Sequence, residues 1–190
     1  MPALGLDSDP APAPQQARRR ATALAWRAGM ALLQGDHTGW AARRQAALRL
    51  FEEADAPAAL ARAQWFLAFT AGEVEDPAAG AELLDQALKG FDAVGDQWGR
   101  AAPLILRAKY AHAHGDPALL ESEVERAAHL FAEVGDRWGQ LQAAEWLGTL
   151  AELTGDHERA DRLQRRASPV TPRRPPVSWA RRPRCAGRPA

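Results

Sequence analysis

The chain has 190 residues, with 24 basic and 24 acidic side chains and one cysteine, Cys185. This length suits one domain with flanking segments, and a lone cysteine excludes an internal disulfide and a metal site built from cysteines. No run of about 18 apolar residues occurs, and the N-terminus lacks the charged and apolar order of a signal peptide, which excludes a membrane-spanning helix and a secreted precursor. We therefore expect a cytoplasmic protein.

The neutral net charge hides an uneven distribution along the chain. Residues 21–161 contain 12 Lys/Arg and 22 Asp/Glu, a balance of −10. From Arg162 onward there are nine arginines and no acidic residue. The sequence therefore predicts an acidic body followed by a basic tail.

The predicted elements begin after a proline-rich start. Residues 1–17 contain four prolines and few large apolar side chains, so we expect them to be disordered. A helical pattern starts near Arg18 and continues to Gln34. Because alanine and leucine are abundant and β-branched residues are scarce, the composition favours an all-α fold.

The next 130 residues or so repeat one plan, as tandem repeats do. The motif Phe-x-x-Val-Gly-Asp-x-Trp-Gly begins at Phe91 and at Phe131, and a weaker copy begins at Phe51. A second marker, Gly-Asp or Glu-Asp, has the same 40-residue period at positions 35–36, 75–76, 115–116 and 155–156. Two markers in phase predict four repeated units within residues 18–167.

Each unit is predicted to be a hairpin of two antiparallel helices. Glycine at the hinge supplies the left-handed residue that ends one helix, and the following aspartate, as at Asp36, caps the next. Trp98 and Trp138 start the first helix of their units, where we expect each ring to pack over the turn between units. Glu121, Glu123 and Glu125 are expected to lie on a solvated face.

Alignment of the units places small residues at fixed positions in both helices of the hairpin. This pattern resembles the tetratricopeptide repeat (TPR), and Leu147-Gly148 with Ala151, Ala160 and Ala167 carries the best match. The 40-residue period exceeds the usual 34 or so because the turn between units carries the additional Gly-Asp-x-Trp-Gly. This longer form is similar to repeats in the C-terminal arms of actinobacterial LuxR-type and SARP-type transcriptional regulators.

The resemblance implies a right-handed αα-hairpin solenoid, a TPR-like superhelix whose concave groove binds a protein or peptide partner. Ile105 falls on the same predicted face. The groove residues carried over from the repeat are Arg62, Trp65, Phe69, Glu73, Lys109, His112, Gln142, Glu145, Thr149 and Glu152.

Catalysis is not expected from this sequence. The chain lacks the phosphate-binding motif Gly-x-x-x-x-Gly-Lys-Ser/Thr, and no nucleophile, base and orienting group fall together. No helix-turn-helix follows the repeats. We therefore expect no cofactor and no metal.

The tail, residues 168–190, is rich in proline and arginine and is predicted to be disordered. Three interpretations stay open for it. It contacts nucleic acid through charge, it offers a proline-arginine ligand at residues 172–175, or it is a chain end without a function.

The function expected from the sequence is a noncatalytic interaction scaffold in bacterial regulation. The main alternative is a truncated or free-standing part of a transcriptional regulator whose basic tail contacts nucleic acid. An accessory subunit that holds two enzymes together is a further alternative. We expect a monomer, or a dimer formed through an uncapped terminal repeat.

Overall fold

A computed structural model describes residues 14–73 and 77–167, and every regular element in these ranges is an α-helix. The predicted all-α class is therefore confirmed for the described part of the chain. The helices are α1 (Pro14–Leu33), α2 (Trp40–Glu53), α3 (Pro57–Glu73), α4 (Pro77–Val94), α5 (Gln97–Ala113), α6 (Pro117–Glu133), α7 (Arg137–Leu153) and α8 (His157–Ala167).

Helix α1 begins at Pro14, four residues before the predicted start near Arg18. Proline is well tolerated at the first helical position because the N–H it lacks would have no partner there. Gln15, Gln16 and Ala17, which were assigned to the disordered start, are good helix formers that extend the helix toward its N-terminus. The remaining part of that segment, residues 1–13, and the tail 168–190 lie outside the described residues.

The aspartates that follow the hinge and inter-unit glycines cap helices as predicted, with one exception. Gly95, Gly115, Gly135 and Gly155 have φ between 68° and 77°, the left-handed region that glycine adopts without strain. The side chains that follow accept N–H bonds from the first turns of α5, α6, α7 and α8, as in the 2.9 Å bond from Leu119 to Asp116.

Asp36 is the exception, because it does not cap α2. Its side chain accepts the N–H of Thr38 and a salt bridge from Arg43 at 2.8 Å. The residue before α2 is Gly39, which also has a left-handed φ of 62°. A second left-handed glycine lengthens this hinge and moves the helix start away from Asp36. The hydrogen bonds from Arg43 and Thr38 lower the pKa of Asp36 to about 2.

Consecutive helices pack as four hairpins, α1 with α2, α3 with α4, α5 with α6 and α7 with α8. The odd-numbered helices also contact each other in series, α1 with α3, α3 with α5 and α5 with α7. Among the described residues, no Cα atom of an even-numbered helix lies within 8 Å of another even-numbered helix. The odd-numbered helices therefore form one continuous row, and the even-numbered helices lie farther apart.

The repeated phenylalanines and small residues form the core, as their period predicts. Phe51, Phe91 and Phe131 are buried, and the last two pack so closely against Gly99 and Gly139 that a Cβ at either glycine would overlap the ring. Small side chains let helices approach closely while the large rings fill the space between units. The buried small positions include Ala28, Ala68, Ala108, Ala71, Ala111, Ala151, Ala47, Ala87 and Ala127.

The predicted solvated face of α6 is wrong at one position. Glu123 is buried, with its Oε1 atom 3.4 Å from Arg126 and 3.6 Å from Arg107 of α5. Its other oxygen, Oε2, has no hydrogen-bond partner. The spacing of acids on one helix cannot show that the neighbouring helix brings an arginine to this carboxylate.

None of the helices in the described ranges combines the length and the apolar character needed to cross a membrane.

Candidate partner-binding site

A cavity of about 530 Å³ opens between α1, α3 and α5. Its wall is rich in aromatic rings and includes one arginine. Such a combination suits a ligand that offers apolar groups together with polar backbone. The residues that line it are Thr22, Ala25, Trp26, Phe51, Ala59, Arg62, Ala63, Trp65, Phe66 and Trp98.

Two aromatic pairs shape this cavity, and each joins neighbouring odd-numbered helices. Trp26 of α1 stacks on Phe66 of α3 with ring centroids 3.9 Å apart and a tilt of 32°. Trp65 of α3 meets Trp98 of α5 edge to face at 5.4 Å. The separation and edge-to-face geometry of the second pair are those at which aromatic rings attract one another. The two pairs hold the cavity wall in place across three helices.

Arg62 belongs both to the cavity wall and to a joint between units. Its Nη2 donates to Asp96 Oδ2 at 2.9 Å, while Asp96 Oδ1 accepts the N–H of Gly99 and caps α5. Burial acts to raise the pKa of Asp96, but the bonds from Gly99 and Arg62 outweigh it and hold the pKa below its ordinary value. Arg62 is still largely exposed, so the rest of its guanidinium faces solvent at the cavity.

The same arrangement recurs one unit later. Asp136 Oδ1 accepts N–H bonds from Trp138 and Gly139 and so caps α7. Its Oδ2 accepts the indole N–H of Trp98 at 2.7 Å. One carboxylate oxygen therefore serves its own helix and the other binds the preceding odd-numbered helix.

Other predicted residues continue along the row of odd-numbered helices. Lys109 of α5 places its Nζ atom 5.6 Å from the ring centre of the exposed Phe69 of α3, within the range of a cation–π contact. His112 of α5 lies 5.5 Å from the ring of Trp146 of α7. These contacts place a cation, an imidazole and two aromatic rings along the α3–α5–α7 side.

Three of the residues predicted on α7 bond to one another or to their own helix. Gln142 donates to Glu145 at 3.0 Å, and the hydroxyl of Thr149 donates to the backbone oxygen of Glu145 at 3.1 Å. Glu152 is exposed near the end of the helix. None of the four lines the aromatic cavity. The side chain of Glu73, the remaining predicted residue, lies outside the described part of the structure.

Sequence reasoning found Arg62 and Trp65 in the cavity wall but missed Trp26, Phe66 and Trp98. Trp26 and Phe66 are one period apart and stack on each other. Groove positions assigned within one repeat do not show contacts between residues of neighbouring repeats. The number of tryptophans, seven in all, was the available signal. Trp98 was assigned to packing, and it is half-buried against Trp65 while it also lines the cavity.

The prediction for Trp138 is wrong. Its side chain is 59% exposed, although its surrounding motif matches that of Trp98. Trp98 is covered because the ring of Trp65 from the preceding unit packs against it and Asp136 of the next unit accepts its indole N–H. No further unit follows α8 in the described ranges, so nothing equivalent to Asp136 is there for Trp138.

Within the described ranges, no group of three or more His, Cys, Asp or Glu side chains is arranged to hold a metal ion. Comparison with known proteins finds no family model that matches the chain and no match among curated proteins.

Proposed function

We propose that this chain is a noncatalytic scaffold that binds an extended segment of a protein partner along its odd-numbered helices. In this proposal the four hairpins form a right-handed, TPR-like solenoid, and the odd-numbered helices line its concave side. The setting we propose is bacterial regulation in the cytoplasm, as the resemblance of the 40-residue repeat implies.

The observation that carries the proposal is the aromatic cavity that opens on the row of odd-numbered helices. These helices contact each other in series while the backbones of the even-numbered helices stay apart. A row with closer spacing on one side than on the other curves toward the closely spaced side. This supports a concave surface made of odd-numbered helices, with the cavity of Trp26, Trp65, Phe66 and Trp98 on it.

The chemistry of this surface suits a peptide better than a small polar metabolite. Five aromatic side chains line the cavity and offer apolar contact, and the guanidinium of Arg62 offers donors to a carboxylate or a backbone carbonyl. Farther along, Phe69 with Lys109 and His112 with Trp146 provide further mixed contacts. Extended peptides are bound by such alternation of apolar pockets and polar groups.

The test is capture of a partner by the full chain and by matched variants. Phe69→Glu and His112→Glu each place a charge on an exposed position of the row, and both positions are exposed enough to leave the core intact. Leu119→Glu makes the same kind of change at an exposed position of α6, outside the row. The partner is identified by mass spectrometry and binding is repeated with purified components.

We expect the row variants to lose the partner and the Leu119→Glu chain to retain it, with circular dichroism unchanged in all three. Retention of the partner by both row variants, or its loss in the α6 variant alone, would contradict the proposal.

A second candidate function depends on the charge of the tail. Nine arginines without an acidic residue follow position 161, and such a segment attracts phosphate backbones. In this alternative the chain is a truncated or free-standing part of a transcriptional regulator. Salt-sensitive DNA binding that disappears when residues 168–190 are deleted would favour it, and capture of nucleic acid alone in the experiment above would point the same way.

A further inference from the structure

Helix α1 carries an exposed apolar stripe. Trp26, Met30 and Leu33 are 52%, 45% and 40% exposed, and their spacing of four and three residues places them on one side of the helix. Exposed apolar side chains that cluster in this way mark surfaces that contact another macromolecule. The repeat shows which kind of surface covers these positions elsewhere in the chain.

The residues equivalent to Trp26 contact the preceding odd-numbered helix. Phe66, one period later, packs over Gly29 of α1 so closely that a Cβ there would overlap its ring. Trp146, three periods later, lies 5.5 Å from His112 of α5. In both units this position therefore faces the unit before it.

The residue equivalent to Met30 behaves in the same way. Tyr110, two periods later, packs against Gly72 of α3 and donates its hydroxyl to the backbone oxygen of Ala68 at 2.7 Å. No helix precedes α1 in the described ranges. The Trp26 and Met30 part of its stripe is therefore the surface that a preceding unit covers in the rest of the chain. Leu33 is equivalent to Leu153, which stays 61% exposed.

The last odd-numbered helix presents the opposite half of this contact. The positions that Phe66, Tyr110 and Trp146 contact on the preceding helix are Gly29, Ala68, Gly72 and His112. Counted forward by whole periods to α7, they correspond to Gly148, Thr149 and Glu152. Trp138 is exposed on the same helix. Thus α7 carries the positions on which a following unit packs elsewhere in the chain, and α1 carries the side chains with which such a unit makes that contact.

Charge selects between the possible pairings of the two ends. Helix α1 contains four arginines and no acidic residue, whereas α7 carries the exposed Glu145 and Glu152 and one basic residue, Arg137, at its first position. Contact between two copies of α1 would bring together eight positive charges, four from each helix. Contact between α1 and α7 brings opposite charges together, and electrostatic complementarity of this kind sets which surfaces associate.

We propose that the Trp26–Met30 face of α1 docks on α7 of a second copy of this chain, so that copies associate head to tail. The contact continues the row of odd-numbered helices from one copy into the next. It is heterologous, so it produces open chains of copies or closed rings rather than only symmetric dimers. Trp26 also lines the aromatic cavity, but self-association is measured without a partner, so this contact is tested separately from the proposed partner binding.

Sedimentation velocity of the full chain over a wide range of concentration tests this proposal. We expect the average mass to rise with concentration beyond that of a dimer and to fall when salt is added. Met30→Glu blocks the α1 face, and Glu145→Lys with Glu152→Lys blocks the α7 face. Each variant is expected to weaken association by about tenfold or more, because each leaves an unpaired or repelled charge in the contact. Leu119→Glu, on α6, is the matched control and is expected to associate like the original chain.

Mixing the two blocked variants gives the sharpest result. One α1 face and one α7 face remain intact in the mixture, so we expect a 1:1 dimer that neither variant forms alone. The proposal is overturned if the original chain stays monomeric at every concentration, or if Met30→Glu associates unchanged. It is also overturned if the double α7 variant still dimerises by itself, since that result would indicate contact between two α1 faces.

Discussion

The two ends of the helix row expose different surfaces. At the N-terminal end, α1 shows Trp26, Met30 and Leu33 to solvent. At the C-terminal end, α7 exposes Trp138 and Leu153 beside the acidic Glu145 and Glu152, and α8 carries ion pairs of its own such as Arg165 with Asp161. Terminal units of stacked repeats need a polar outer face. Helix α8, whose exposed side chains are polar, fits this requirement, whereas α1 does not.

One repeat position has different physical roles in different units. Position 30 of α1 is exposed methionine, and its equivalents Thr70 and Leu150 are buried. The local sequence sets which side of the helix a residue occupies, and the neighbouring unit decides whether that side is covered. The most informative experiment is therefore to make the same substitution at two equivalent positions, one covered and one exposed, and to compare the effects.

The largest expected contrast is between Tyr110→Ala and Met30→Ala, which are equivalent positions two periods apart. Tyr110→Ala leaves a gap over Gly72 and removes the bond to Ala68, so we expect the free energy of unfolding to fall by about 3 kcal/mol. Met30→Ala removes a side chain that is already half exposed, and we expect a loss below about 1 kcal/mol. Urea unfolding at low protein concentration measures both. Equal losses would show that α1 is as well covered as α5.

A smaller contrast separates Trp98→Phe from Trp138→Phe. Trp98 loses its indole bond to Asp136, which is a bond to a carboxylate, and we expect a cost of about 1.5 kcal/mol. Trp138 makes no such bond among the described residues and is largely exposed, so its substitution should change the free energy of unfolding by less than about 0.5 kcal/mol. Thermal and urea unfolding of the two variants give the comparison. A larger cost at Trp138 would mean that a further part of the chain covers α7.

The smallest expected effect concerns the joint between Arg62 and Asp96 and appears on the acid side. The pKa of Asp96 is held below its ordinary value, so its ionised form stabilises the fold. This contribution is present above the ordinary pKa of 3.8 and is lost as the pH falls through the lowered value in the folded chain. Asp96→Asn keeps the capping oxygen, removes the charge and should cost about 0.5 kcal/mol at neutral pH, since Arg62 is mostly exposed.

Asp85→Asn, at an exposed position of α4, is the matched control for this measurement. We expect stability to fall less steeply below pH 4 or so in Asp96→Asn than in the original chain, because the group that titrates has been removed. If the free energy of unfolding falls equally steeply with pH in Asp96→Asn and in the original chain, the contact between Arg62 and Asp96 does not stabilise the fold.

Much of the local structure follows from the 40-residue period. It gave the number of hairpins, the aspartate caps at positions 96, 116, 136 and 156 and the buried phenylalanines. It did not give the first hinge, where Gly39 adds a second left-handed residue before α2. It also failed for Glu123, which meets Arg107 from a different helix. The solenoid itself stays a prediction.

The candidate site was less predictable than the helices. Arg62 and Trp65, which line the cavity, were predicted as groove residues because the sequence resembles the tetratricopeptide repeat at their positions. Trp26 and Phe66 were missed because their stacking depends on Gly29, a small residue on a neighbouring helix that admits the ring. Trp98 and Trp138 share one motif and differ in exposure, so no pattern within the motif separates them.

The most direct test of the account is hydrogen–deuterium exchange of the chain, alone and bound to its captured partner. Amide exchange reports local opening helix by helix, so it locates the bound segment without substitutions. We expect slower exchange in α1, α3 and α5, the helices that enclose the aromatic cavity. Protection confined to α2, α4 and α6, or to the tail, would contradict the claim that the row of odd-numbered helices binds the partner.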